Sequence, residues 1–206
     1  MECSTRGKNG KMQLIKNSFY TPYFIFIKDN SNLNDEELLK KIELEDYELV
    51  TDKSELHASG NKINKRYLYI TEDEKWKHLM DDWLYTLWHD KNVKTRIKNL
   101  SKEFEIFCCS IGDCNDSFDF VHYQNGKENR EYVVVDPNFN GGQITKEFGR
   151  PFEIENIALS KKGQLEKVLL IAQSLGINTN HRLDKVRCYG RTERENEKFD
   201  FNENEY

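Results

Sequence analysis

The hydrophobic positions of this chain fall into short dense runs and longer spaced stripes, both concentrated in its middle. Runs rich in β-branched and aromatic residues predict strands at Tyr23–Lys28, opened by Pro22, at Tyr47–Val50 and at Lys65–Ile70. Phe104–Ile111 is apolar at almost every position, which predicts a strand buried on both faces near the centre of a sheet. Phe118–Tyr123 and Glu131–Val135 predict a hairpin. Asn125-Gly126 marks its turn, and the polar stretch on to Arg130 predicts a connection wider than two residues. Val186–Tyr189 predicts the last strand.

Spacings of three and four residues predict helices. Asn34, then Asp35-Glu36-Glu37, then Leu38, Leu39 and Ile42 supply the cap, the acidic first turn and the apolar face of a helix ending near Leu44. Thr71-Glu72-Asp73-Glu74 fits a capping box. Behind it Trp76, Leu79, Met80, Trp83, Leu84, Leu87 and Trp88 form one stripe of 3.6-residue period, predicting an amphipathic helix from Glu72 to about Asp90. Further helices are predicted over Asn92–Lys102, with a basic outer face, and over Lys162–Leu175, stopped by Gly176. Thr51–Asn64 reads as a loop, and Asp136-Pro137, Gly141-Gly142 and Gly149–Pro151 as breaks. The fold class is α+β (or α/β): a mixed, mainly antiparallel sheet with three to four helices packed on it.

Composition sharpens this. The chain has 206 residues, 37% hydrophobic and 33% charged, but the average hides polar ends around a middle rich in aromatics. Residues 1–18 and an acidic tail over 191–206 lack periodicity and are expected to be mobile, leaving one α+β domain over 19–190. A net charge of −5 without clustered Lys and Arg argues against a nucleic-acid partner and suits a basic protein partner. No apolar run approaches the ~18 residues that span a bilayer, so no membrane association is expected. The first residues lack the apolar core of a secretory signal. Five Cys, two of them adjacent, read as reduced thiols in a cytoplasmic protein.

Candidate chemistry gathers between Cys108 and His122. Zinc would need paired thiolates at a short spacing. Cys109 and Cys114 stand at the edge of that range, and neighbours Cys108 and Cys109 point to opposite faces of a strand, so both read as core residues. Asp113, Asp116 and Asp119 lack the alternation of a calcium loop and read instead as an acidic recognition rim, with Asp81 and Asp82 as further members. No metal site, cofactor or catalytic residue is assigned. His78 and Asp82 stand one helical turn apart and would suit a general base, but no nucleophile accompanies them. P-loop, nucleophile-elbow, dinucleotide-binding and zincin motifs are missing from the sequence.

The run W-x-x-L-M-D-D-W-L-Y-T-L-W-H, followed by F-C-C-S-I-G-D-C-N-D-S-F-D-F-V-H-Y and Y-V-V-V-D-P, resembles small uncharacterised bacterial proteins built like the immunity proteins of polymorphic toxin systems. The resemblance spans roughly Lys65–Leu175 and carries over no functional residue. It implies a compact acidic α/β domain that neutralises a partner without turnover. The function expected is therefore a non-enzymatic, inhibitor-like binding protein whose acidic surface meets a protein partner such as a basic toxin. Two alternatives stand beside it. One is a small hydrolase or nucleotide-processing enzyme using His78, Asp82, Asp113 or His122. The other is a subunit of a larger assembly, docked through an exposed tryptophan stripe.

Overall fold

Strand-forming runs dominate the molecule because its apolar side chains come in pairs on neighbouring residues, one for each face of a sheet. Among the described residues nine strands form one open sheet in the order β2-β9-β3-β4-β1-β5-β6-β7-β8, every neighbouring pair antiparallel. They are β1 (Tyr23–Lys28), β2 (Glu48–Leu49), β3 (Lys65–Glu72), β4 (Trp76–Asp81), β5 (Ile106–Ile111), β6 (Phe118–Gln124), β7 (Lys127–Val135), β8 (Gln143–Gly149) and β9 (Arg187–Thr192). Four α-helices accompany them among the described residues: α1 (Asp35–Lys41), α2 (Lys91–Leu100), α3 (Glu155–Leu159) and α4 (Gln164–Ser174). The structure is a computed structural model and describes residues 23–29, 33–51, 65–81, 91–112, 116–135, 143–180 and 183–192. The α+β class expected from the sequence is the one observed. Of the segments expected to be mobile, 1–18 lies outside the described residues, as do residues 193–206 of the 191–206 tail, whereas Arg191 and Thr192 belong to β9.

The central strands of the sheet are covered on both faces. Ile25, Ile27, Leu68, Ile70, Leu79, Ile106, Cys108 and Val121 pack under α1 and α2 through Leu38, Leu39, Ile42, Val93, Ile97 and Leu100. Phe24, Phe26, Trp76, Met80, Phe107, Cys109, Phe120 and Tyr132 pack under α3 and α4 through Ala158, Val168, Leu169, Ile171 and Ala172. The adjacent cysteines thus enter opposite cores, as their strand spacing predicts. On the α3–α4 side one row of rings crosses five strands: His78, Phe26, Phe107, Phe120 and Tyr132, with centroids 4.9, 6.2, 6.1 and 5.5 Å apart in turn. Each such cross-strand pair contributes about 0.2–1 kcal/mol.

Several local predictions hold. Asn34 caps α1, its Oδ1 accepting from Glu37 N at 2.8 Å. After α4, Gly176 N bonds Gln173 O at 2.9 Å and Ile177 N bonds Ala172 O at 3.3 Å, the paired closure that ends a helix at a glycine. One prediction is overturned. Trp76–Asp81 is strand β4, not the start of a helix, and Thr71 and Glu72 belong to β3. Residues 82–90, the rest of the predicted helix, lie outside the described residues. A second correction concerns the β6–β7 hairpin, which closes in two residues, Asn125 (φ 55°) and Gly126 (φ 73°). Polar Lys127–Arg130 continue the strand, with a bulge between the pairings of His122 and Tyr123. Edge strand β8 and helix α3 are not foreseen at all.

Candidate binding cleft

Polar side chains with several partners collect where α1 meets the β3–β4 hairpin and β9. The hairpin turn is built on Asp73. Its Oδ1 accepts from the amides of Lys75 and Trp76, each at 2.8 Å, and its own N–H donates to Trp76 O at 2.9 Å. A short carboxylate that bonds the backbone just ahead of it favours a turn over a helix. Oδ2 reaches elsewhere, accepting from Asn178 N at 2.9 Å and lying 3.2 Å from His78 Nε2. Since a carboxylate only accepts, Nε2 carries the hydrogen in that contact. Burial alone would raise the Asp73 pKa, but the bonds from His78 and the three amides outweigh it and hold the carboxyl far below its ordinary range.

On the sheet face turned to α1, strands β3, β4 and β9 present Glu72, Lys77, Arg187 and Tyr189 to Asp35 of the helix. Arg187 grips Asp35 with two nitrogens, Nε to Oδ2 at 2.5 Å and Nη2 to Oδ1 at 2.9 Å. Lys77 Nζ and Tyr189 Oη each donate to the same carboxylate at 2.9 Å. Lys77 also bonds Glu72 at 2.9 Å, and Arg187 reaches Glu72 at 3.3 Å. Asp35 and Lys77 are buried, which makes their mutual pairing obligatory. Burial pushes the Asp35 carboxyl up, while Arg187, Lys77 and Tyr189 together bring it below its ordinary value. Glu72 is lowered chiefly by its hydrogen bond from Lys77. Arg187 is raised by its bond to Asp35, and Tyr189 is pushed up to about 12 by burial and by the Asp35 charge. Each group is driven further into the charge state it already holds.

These residues line an open cleft of about 580 Å³. Its walls carry six carboxylates (Asp29, Asp35, Glu36, Glu72, Asp73 and Glu74) against three cations, Lys75, Lys77 and Arg187. Glu36 and Glu74 are exposed at the rim and pair with no other described residue. The interior carboxylates are therefore satisfied by Lys77, Arg187 or backbone amides, and two of the surplus negative charges, Glu36 and Glu74, sit where a partner would meet them.

The residues singled out from the sequence are placed differently. Asp119 is buried and accepts from Ser110 Oγ at 2.6 Å, so it cannot serve a surface rim. Asp116 is exposed and takes a hydrogen bond from Gln164 at the start of α4. Asp81 ends β4, and through Tyr23 and Ser110 it shares one cross-strand row with Asp119, three strand spacings away. Asp82 and Asp113 lie outside the described residues, as does Cys114. The candidate bases are both core residues. His78 meets Asp73, and its expected partner Asp82 lies outside the described residues. His122 Nε2 lies 3.1 Å from Glu105 Oε1, and Lys28 Nζ donates to Oε2 of the same carboxylate at 2.7 Å. His122 and Lys28 hold Glu105 down at about 2.

The cleft residues are visible in the sequence only as acid-rich segments, Asn-Asp-Glu-Glu at the start of α1 and Thr-Glu-Asp-Glu at the end of β3. Both segments also fit helix starts, and nothing local distinguishes a carboxylate that caps a helix from one that anchors a guanidinium 152 residues away. No protein-family model, curated protein or solved structure matches the chain.

Proposed function

We propose that the protein is a non-enzymatic binding protein whose acidic cleft between α1 and the β3–β4 hairpin docks a basic segment of a protein partner, in the manner of an immunity protein neutralising a basic toxin. One observation carries this reading: the cleft has a floor whose carboxylates are hydrogen-bonded within the protein and a rim whose carboxylates, Glu36 and Glu74, bond to no other described residue. A general acid or base at neutral pH needs a group poised near its titration point, yet the shifts at Asp35, Glu72, Asp73, Arg187 and Tyr189 all run away from neutrality. Fixed charges suit electrostatic recognition, where complementarity governs partner choice and association rate. A volume of about 580 Å³ accommodates a few side chains of an extended segment. Its contact would combine charge-assisted hydrogen bonds to Glu36 and Glu74 with the exposed stem of Lys75.

The test is calorimetric titration with an arginine- and lysine-containing peptide, and with a basic protein from the same source, at low and high salt. The double variant Glu36→Gln/Glu74→Lys should weaken binding at least about tenfold, consistent with the loss of one charge and the reversal of another at the contact, while the protein still unfolds in one cooperative thermal transition. Binding that is unaffected by the double variant and by salt would remove the cleft as the docking site.

A further inference from the structure

A second charged cluster lies across the sheet from the cleft. Glu128 occupies the row that runs from Lys77 through Ile27, Ile106 and Tyr123, four strand spacings from Lys77, or roughly 19 Å. The bulge in β7 brings Glu128 and Glu131 onto the same face, where burial and the neighbouring Glu131 raise Glu128 and Glu131 itself is held low. Two ionised carboxylates side by side repel and neither can donate, whereas a carboxyl that keeps its proton can donate to a neighbouring carboxylate. Glu131 is buried and is also approached by two cations from different elements: Lys94 of α2 at 3.4 Å and Lys146 of β8 at 2.6 Å. The groups facing Glu128 are therefore Glu131 on its own strand, Lys94 from α2, Lys146 from β8 and, in the opposite register position on β6, the buried Tyr123. Asp119 points to the same side further along β6.

We propose that Glu128 and Glu131 share one proton and, with Lys94 and Lys146, form a pH-sensitive latch that ties edge strand β8 and helix α2 to β7.

The arrangement assigns the proton to Glu128. Half-buried Glu128 is the donor, and Glu131, flanked by two lysines, keeps the negative charge. Burial and the neighbouring Glu131 push the Glu128 carboxyl from 4.5 up to about 7. Because the native value lies above the unfolded one, the stabilisation is complete below pH 4.5 and is lost as pH rises through about 7. Above that point two adjacent negative charges replace a hydrogen bond, and Glu128 is freed to turn outward. β8 is where the loss would be felt. It is an edge strand, exposed along its length and paired only with β7 among the described residues. Its inward ties are the Lys146–Glu131 pair and the bonds from Arg130 to Glu147 Oε1 at 3.0 Å and to Phe148 O at 3.1 Å.

The experiment is a carboxyl-carbon NMR titration of the whole chain, together with urea unfolding and amide exchange at pH 5 and pH 8 for the wild type and Glu128→Gln. Gln keeps a donor for Glu131 and cannot ionise. Glu128 should titrate near neutrality. Relative to Glu128→Gln, the wild-type unfolding constant should rise with pH by up to about tenfold per unit between the two values, the limit for one linked proton. Amides of β8 and α2 should lose protection first. An ordinary glutamate titration overturns the proposal in the wild type alone, whatever the variant does. So does a pH profile that is the same in both proteins.

Discussion

At the scale of single residues, stability rests on carboxylates that serve as hubs for distant donors. Asp73 is the clearest. One side chain closes the β3–β4 turn, orients buried His78 and fastens the loop after α4 through Asn178. Asp73→Asn keeps the shape but loses the charge that all four donors address, and should cost about 2–4 kcal/mol in urea unfolding at pH 7. Its pH signature follows from the sign of the shift. The native carboxyl lies below its unfolded value of 3.8, so its stabilisation is complete above that pH and lost as the solution is acidified below it. Comparing wild type with Asp73→Asn from pH 7 down to pH 2 should show the gap between them closing as acid is added. Arg130 is the cationic counterpart. Buried under Tyr132, it is held by both Glu155 oxygens and by the carbonyls of Phe148 and Gly149. A buried guanidinium is tolerated here because every donor direction meets an acceptor.

At the scale of elements, the periodicity that predicts a helix from Glu72 and the alternation that makes β4 coincide over Trp76–Asp81. Trp76, Leu79 and Met80 satisfy a helical stripe, yet Trp76, His78 and Met80 enter one core while Leu79 enters the other beside Lys77. The deciding residues are polar ones that are buried, Lys77 and His78. Their partners Asp35 and Asp73 make burial possible, and only the first is remote in sequence, so no local window separates the two readings. β8 fails for the opposite reason: exposed on both faces, it has no apolar alternation to recognise. The β6–β7 turn is tighter than its polar flanks suggest, because Arg130 and Glu131 are polar residues with inward ion pairs. Two glycines make a paired test. Gly149 has φ +81°, and a Cβ there would lie 1.9 Å from Asn129 O, which is backbone and cannot yield. Gly149→Ala should lower stability by more than about 2 kcal/mol. Gly126→Ala meets only the flexible stem of Lys102 and should cost about 1–2 kcal/mol, the strain of a left-handed residue. Equal losses in thermal unfolding would contradict the difference in contact.

At the scale of the molecule, the chain closes its sheet late. β9, the last described element, inserts between β2 and β3 and contributes both the Arg187 that grips Asp35 and the buried Cys188. The cleft therefore does not exist until residues from three distant parts of the chain have met. A chain ending at Asn180 would leave one side of β3, including Leu68 and Ile70, without its neighbouring strand and Asp35 without Arg187. It should lose cooperative unfolding by circular dichroism and calorimetry. If that shortened chain unfolds with the full-length transition, β9 is an accessory strand and the cleft is not integral to the fold. The same geometry separates the two charged centres. The cleft lies on β3, β4 and β9 and the carboxyl pair on β7, so rim variants and Glu128→Gln should act independently.

The sequence by itself determined the α+β class, the strands β1, β3, β5 and β6, the capped helix α1, the end of α4 and the opposed placement of Cys108 and Cys109. Each follows from contacts within a few residues or from dense apolar runs that can only be buried. Tertiary structure alone decided that Trp76–Asp81 is a strand, that Asp119 faces inward, and that Asp35, Glu72 and Asp73 surround one cleft. Those outcomes depend on whether a charged side chain finds its partner, and the partners lie up to 152 residues away. A buried charge is costly alone and acceptable when paired, so the fate of these polar residues was settled by the completed sheet and not by their neighbours in the chain.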